Sequence, residues 1–368
     1  MNTVIPSRAS WRAISSPIPL LAPVTTATRR SMRTSIRARN PRRSRETGTR
    51  SVGPHRPKGG DDSPAPLHWS RMLWQRTAVK AAATDEAISL RPTDRIALAY
   101  AIALAVVAAI CRVPPPSLLP AIAAFAAGVV AVARFASVSR VGRVVHDFAA
   151  IPFVIALFEL SAPVVAAVNP TRWDAQLAAL DRVWFGALPA AWVGLWGRPE
   201  WLTEAASILY ASYYPIPIAI AVTLYRRGRR AEFESFVFAV VATFLASYVS
   251  YILAPAFGPR EPATREVAFG GYAVSTWLQS FLQVAEWNQL DAFPSGHVAL
   301  ALVYLVLGSR MLPRWRLPLA ALTAGIVFST VYLSLHYVVD LLAGAVVGAV
   351  MLPASSALYR VLDQRPSS

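Results

Sequence analysis

The sequence predicts an all-α integral membrane protein, and three observations carry that prediction. Of 368 residues, 55% are hydrophobic and only 15% charged, with a mean hydropathy of +0.42, whereas soluble domains of average usage are about a quarter charged. The apolar residues cluster into runs of roughly 20, the length a helix needs to cross about 30 Å of hydrocarbon. Arginine is dense in every second connection between those runs and sparse in the others, as the positive-inside rule requires of a chain that crosses repeatedly.

The chain opens on a basic tail, residues 1–90, rich in Arg, Ser, Thr and Pro. Residues 1–80 hold 16 Lys+Arg against 3 Asp+Glu, so +13 of the formal net charge of +16 lies there. Such a segment buries too little apolar surface to offset its ordering entropy and reads as disordered. No apolar stretch of roughly 7–15 residues with a small-residue cleavage site follows its charges, so it is not a clear secretory signal. Its charge would suit anionic lipid or nucleic acid. Without aromatic or helical patterning the plainer reading is a solvated tail, or sequence ahead of a start at Met72, and no nucleic-acid partner is expected. The single cysteine, Cys111, excludes an internal disulfide and a cysteine-based metal site.

Eight apolar stretches follow, near 96–111, 117–136, 148–168, 202–225, 233–257, 294–312, 317–336 and 338–359. They divide the chain into two additional spans within 91–147, six within 148–360, and a short tail, 361–368. Pro215 and Pro217 predict a kink in the fourth span. The segment 169–200 is amphipathic, with Trp173, Leu177, Leu180 and Trp184 beside Asp174, Asp181 and Arg182, and reads as lying along the membrane interface. His146 and Asp147 fall between the second and third spans and read as a solvated loop. Gly344 and Gly348 suit small-residue helix packing. Glu159 and Glu204 read as structural carboxylates ahead of any proton relay or site role.

Arginine decides the orientation. Beyond the tail, 14 arginines fall on one side, from Arg91 and Arg95 to Arg360 and Arg365, and 6 on the other: Arg112, Arg172, Arg182, Arg198, Arg260 and Arg265. The first side is then cytoplasmic and both termini lie inside.

Of five histidines, two stand where chemistry is expected. His297 ends Asp291-Ala292-Phe293-Pro294-Ser295-Gly296-His297, where a loop becomes the sixth span. Proline suits a first helical turn, Ser295 and Gly296 allow close backbone approach, and the exposed N–H groups form an anion site. A histidine there can protonate a leaving oxygen. His336 precedes Asp340 by four residues at the join of the seventh and eighth spans, so both share a face if the turn is helical. A carboxylate behind one imidazole nitrogen fixes the tautomer and frees the other as a nucleophile. Strand-free alternation brings Gly258-Pro259-Arg260, His297 and His336 to one face, the arginine-poor extracytoplasmic one.

These residues resemble the type 2 phosphatidic acid phosphatase superfamily, through Pro294-Ser295-Gly296-His297 and, about 40 residues on, His336-x-x-x-Asp340. Thr330-Val331-Tyr332, Gly258-Pro259-Arg260 and the stretch from Trp173-Asp174 to Gly186 are similar to its inositolphosphorylceramide-synthase-like branch. The resemblance covers roughly 148–360. It implies a six-helix core in which His336 attacks phosphorus and forms a phosphohistidine, Asp340 orients it, and His297 protonates the leaving group before activating water or an acceptor alcohol. Arg260, Ser295 and Gly296 would hold the phosphate oxygens, with no metal and no cofactor. The substrate would be a lipid phosphate or phospholipid in a bacterial-type plasma membrane.

Two departures bear on the reaction. The phosphatase pattern carries an arginine six residues before the second histidine, where this chain has Thr330, and its lysine-containing first motif is missing. A phosphate monoester carries nearly two charges and loses more from this than a diester, so lipid phosphatase and inositolphosphotransferase-like phosphotransferase stand level. A transporter would place ionisable residues near mid-bilayer and repeat broken helices, and neither pattern is evident. A transporter and a non-catalytic membrane protein are the alternatives.

Overall fold

The computed structural model describes residues 90–195, 197–259, 272–285 and 290–363. Among them the chain forms helices and no strand: α1 (Pro92–Ile110), α2 (Leu118–Val138), α3 (Arg140–Phe148), α4 (Ala150–Val168), α5 (Asp174–Phe185), α6 (Pro189–Leu195), α7 (Glu200–Ala211), α8 (Pro215–Arg226), α9 (Arg230–Leu253), α10 (Ala273–Ala285), α11 (Gly296–Met311), α12 (Arg316–Tyr332) and α13 (Val338–Leu362). The predicted tail up to residue 89, and Arg260 and Arg265, lie outside the described residues.

Each of the eight predicted stretches falls on helix. Among the described residues six helices are long and apolar enough to cross a membrane: α1, α2, α4, α9, α13, and α12 with the short turn before it. The fourth stretch is a pair, α7 and α8, bent by 43°. The break lies just before Pro215, whose ring and missing N–H interrupt a continuous helix. The sixth stretch, α11, has 16 residues and runs through the middle of the bundle, against α9, α12 and α13.

Apolar burial alone does not associate helices in lipid; close packing does. The closest packing is between α11 and α13. A Cβ on Gly344 would overlap the carbonyl oxygen of Ser295, and one on Gly348 would stand 2.7 Å from that of Ala299. Around this seam Leu300, Tyr304, Ile220, Leu224, Phe233, Phe236 and Ile326 form the main core. Helices α1, α2 and α4 join the other flank of α9 through Ala97, Leu104, Leu157, Val164, Val241 and Tyr248.

One end of the bundle gathers charge. Arg95 donates to the Leu362 carbonyl at 2.7 Å, and Arg229 donates to that of Met311. His146 and Asp147 correct the sequence reading here. They lie not in a solvated loop but in α3, 6% and 4% exposed. His146 Nε2 is 2.8 Å from Asp94, and Asp147 accepts from Arg91 at 2.6 Å and from Arg230. Those partners stand 52 to 83 positions away, beyond the reach of local pattern.

Burial alone would raise the Asp147 carboxyl, but the bonds and charge of Arg230 and Arg91 outweigh it and hold it below its ordinary value. A carboxyl depressed on folding stabilises above its unfolded pKa and loses that contribution as pH falls through its folded pKa. Exposed pairs are worth up to about 1 kcal/mol and breaking a buried one costs roughly 3. The Arg230 side chain is half-exposed, so Asp147→Asn is expected to cost about 2 kcal/mol at pH 7. Thermal unfolding in detergent should show the gap from wild type closing as pH falls below the usual carboxylate range.

Candidate active site

The opposite end of the bundle brings three loops together. The first follows α9. Gly258 takes a left-handed φ of +76°, and a Cβ there would stand 2.7 Å from the Leu335 carbonyl oxygen and 3.0 Å from Ala292. Only glycine combines that dihedral with that approach. The second is the turn entering α11, where Ala292 N–H donates to the Ala256 carbonyl at 3.0 Å. The third joins α12 to α13, and its Leu335 N–H donates to the Thr330 carbonyl at 3.0 Å.

These loops set two imidazoles side by side. Their ring centroids are 5.6 Å apart, and His336 Nε2 lies 3.5 Å from His297 Nδ1. His336 is 4% exposed. Its Nδ1 is 2.9 Å from the Ala292 carbonyl oxygen. A carbonyl can only accept, so the neutral ring carries its proton on Nδ1 and its lone pair on Nε2, facing His297. Asp340 Oδ2 is 3.5 Å from the same Nδ1. Its shorter bond, 2.8 Å, is accepted from Tyr337 N–H in the first turn of α13. The nearest acceptor behind His336 is therefore main chain, and the carboxyl expected there stands one step further off.

The His297 ring is held between Tyr210 and Tyr213, at centroid distances of 4.6 and 4.4 Å. Ser295 is fully buried. Its Oγ caps α11 by accepting from Val298 N–H at 3.4 Å, and its own N–H donates to the Asp340 carbonyl at 3.0 Å. Gly296 lies against Tyr251, with no room for a Cβ. Thr330 turns its hydroxyl back onto the Val327 carbonyl at 2.8 Å. Arg260, two residues beyond Gly258, is outside the described residues. Glu204 accepts from Tyr272, Val274 and Ser275 N–H groups and caps α10. Among the described residues no three His, Cys, Asp or Glu side chains converge as metal ligands.

Two carboxylates brace the loops from behind, and both come from α5. Asp174 accepts from Phe257 and Gly258 N–H at 3.0 and 2.9 Å. Asp181 accepts from Val338 and Val339 N–H, both at 2.9 Å, groups that α13 cannot satisfy within itself. Burial raises the Asp181 carboxyl, and the two N–H bonds offset this only in part. Sequence reading named both aspartates without assigning them this role. The signal was their spacing: seven residues, two helical turns, puts them on one face, and that face also carries Leu177 and Ala178. An acid on the apolar face needs an internal donor.

Asp181→Ala leaves two N–H groups next to His336 without their acceptor, at about 1–3 kcal/mol. Turnover is expected to fall about 10- to 100-fold with KM little changed, as positioning rather than binding is lost. Steady-state kinetics checks this, and Asp181→Asn, which keeps one acceptor oxygen, should recover part of the rate.

Comparison with known protein families gives one match. The family model described as the PAP2 superfamily matches residues 175–354, a stretch that runs from α5 into α13 and holds both histidines. No curated protein and no solved structure matches the chain.

Proposed function

From a membrane-embedded bundle with a PAP2-superfamily match, we propose an enzyme that transfers the phosphoryl group of a lipid phosphate or phospholipid through a phosphohistidine. The observation that carries this reading is the pair of imidazoles: His336 with its lone pair on Nε2, 3.5 Å from His297. Nε2 attacks phosphorus, a P–N bond forms, and the bond from phosphorus to the leaving oxygen breaks. His297 supplies that oxygen's proton. It then takes a proton from water or an acceptor alcohol, which attacks phosphorus and releases His336. The α11 N-terminus supports the phosphate oxygens through N–H groups and helix dipole, with the Ser295 hydroxyl beside it. Arg260, placed by sequence just past the loop that touches Leu335, is the proposed cation. Thr330 in the arginine's position leaves less positive charge, which favours a diester headgroup as in the inositolphosphotransferase-like branch. The match by itself fits simple lipid phosphatase activity.

Purified protein in vesicles, given labelled phosphatidic acid, polyprenyl phosphate, and inositol and glycerol phospholipids with and without acceptor alcohols, tests the reading. Vanadate-sensitive release of phosphate or transfer of the headgroup is expected. Product formed only with an alcohol identifies a transferase. No turnover of any of these lipids, or turnover indifferent to vanadate, overturns the proposal.

The extracytoplasmic placement of the site rests on the arginine distribution. With Cys111 replaced by serine, a cysteine at Arg265 should react with an impermeant maleimide in intact cells, and one at Arg227 should not. The reverse pattern inverts the topology.

A further inference from the structure

Helix α5 exposes large apolar side chains. Its inward face carries Leu177 and Ala178 together with Asp174 and Asp181, the last fully buried, and both carboxylates are bonded to loop N–H groups. Its outward face carries Trp173, Leu180, Val183 and Trp184, which are 42%, 40%, 78% and 60% exposed. At 100° per residue Leu180, Val183 and Trp184, with Trp173 just ahead of the helix, fall within one arc, which also holds the exposed Gln176 and lies next to Leu177 on the buried flank. A second exposed arc is formed by Ala175, Ala179 and Arg182. The helix thus has three faces: packed and hydrogen-bonded toward the loops, mainly apolar outward, and small or charged between them.

Its height is fixed by the chain. Helix α5 begins six residues after Val168, the end of a span, and its carboxylates hold the first turn of another span, α13, and the loop just beyond a third, α9. It therefore lies at the level where the bundle leaves the hydrocarbon. The exposed aromatics Trp201, Tyr272 and Trp277 belong to α7 and α10 or their flanks, the two helices that meet where Glu204 caps α10. Trp and Tyr at such a level sit at the boundary of headgroups and acyl chains. Arg182 is exposed, and its charge matches the phosphates of that layer.

We propose that the outward face of α5 is a membrane-binding surface, seated in the headgroup–acyl boundary of the leaflet at the His297–His336 end of the bundle. The Trp173, Leu180, Val183 and Trp184 arc enters the acyl side, and the Ala175–Arg182 arc faces water. The occupant is lipid. This inference stands apart from the reaction proposed above, since it concerns where the helix lies and not what the histidines do.

Nitroxide labels test it without any turnover. The full chain with Cys111→Ser and either Val183→Cys or Ala175→Cys is labelled and reconstituted in vesicles of phosphatidylcholine and phosphatidylglycerol. Both positions are exposed, so neither substitution opens a core. Relaxation by oxygen, which concentrates in acyl chains, is compared with relaxation by a water-soluble nickel chelate. The label at 183 should favour oxygen by several-fold and the label at 175 should favour the chelate. Equal access of the chelate to both puts the face in water and overturns the proposal. Oxygen preference at both sinks the helix into the hydrocarbon and also overturns it, as does shielding of 183 from both agents, the mark of a protein partner on that face.

Discussion

On the proposed mechanism His336→Ala is expected to lose turnover by about 10⁴-fold or more, because it removes the nitrogen assigned to the covalent intermediate. His297→Ala removes only proton transfer, commonly worth about 10²–10⁴-fold, and should still be phosphorylated by substrates with acidic leaving groups. The two variants are therefore separated by their adducts as well as by their rates. Acid-quenched protein treated with labelled substrate should retain phosphate in wild type and in His297→Ala, and none in His336→Ala. His336→Ala with wild-type turnover and the same trapped adduct would refute the assignment. Full activity in both variants on every lipid tested would end the paired-histidine mechanism whatever the fold.

Gly344→Ala should also have a large effect, although it adds only one methyl group, two helical turns into α13. That methyl overlaps the carbonyl oxygen of Ser295, a main-chain atom at the start of α11 that cannot rotate away. Overpacking typically costs about 1–3 kcal/mol, and the upper figure is expected because the obstacle is backbone. The shift also moves the turn that carries His297. A misplacement of about 1 Å can cost roughly 10²-fold in rate. Thermal unfolding and turnover should fall together. Gly128→Ala is the control: nothing lies within 4 Å of its added methyl, so it should match wild type or gain slightly through helix propensity.

Much of this architecture was legible from pattern alone. Long apolar runs have few alternatives to helix in a membrane, and Pro215 marked the break between α7 and α8. The order of Pro294-Ser295-Gly296-His297 and His336-x-x-x-Asp340 at span ends was enough to expect both imidazoles at one end, where they lie 5.6 Å apart. What escaped were partnerships between distant positions. His146 and Asp147 look like a loop pair until Asp94, Arg91 and Arg230 arrive from α1 and α9. The Ala292 carbonyl that holds His336 is invisible in sequence, because every residue has a carbonyl and only the turn decides where it points. Asp174 and Asp181 were visible as acids, and their two-turn spacing was the clue that they shared a face with Leu177.

The Ala292 carbonyl behind His336 has a consequence for how the site tolerates inherited change. A side chain that fixes a tautomer can be lost in a single nucleotide substitution. A main-chain oxygen is encoded at every codon and is lost only when the turn itself collapses. Here the proton's position on His336 is entrusted to the oxygen, while the Asp340 carboxyl stands 3.5 Å away. Loss of that carboxyl would leave the carbonyl bond to Nδ1 in place and instead unpair the Tyr337 N–H next to the ring.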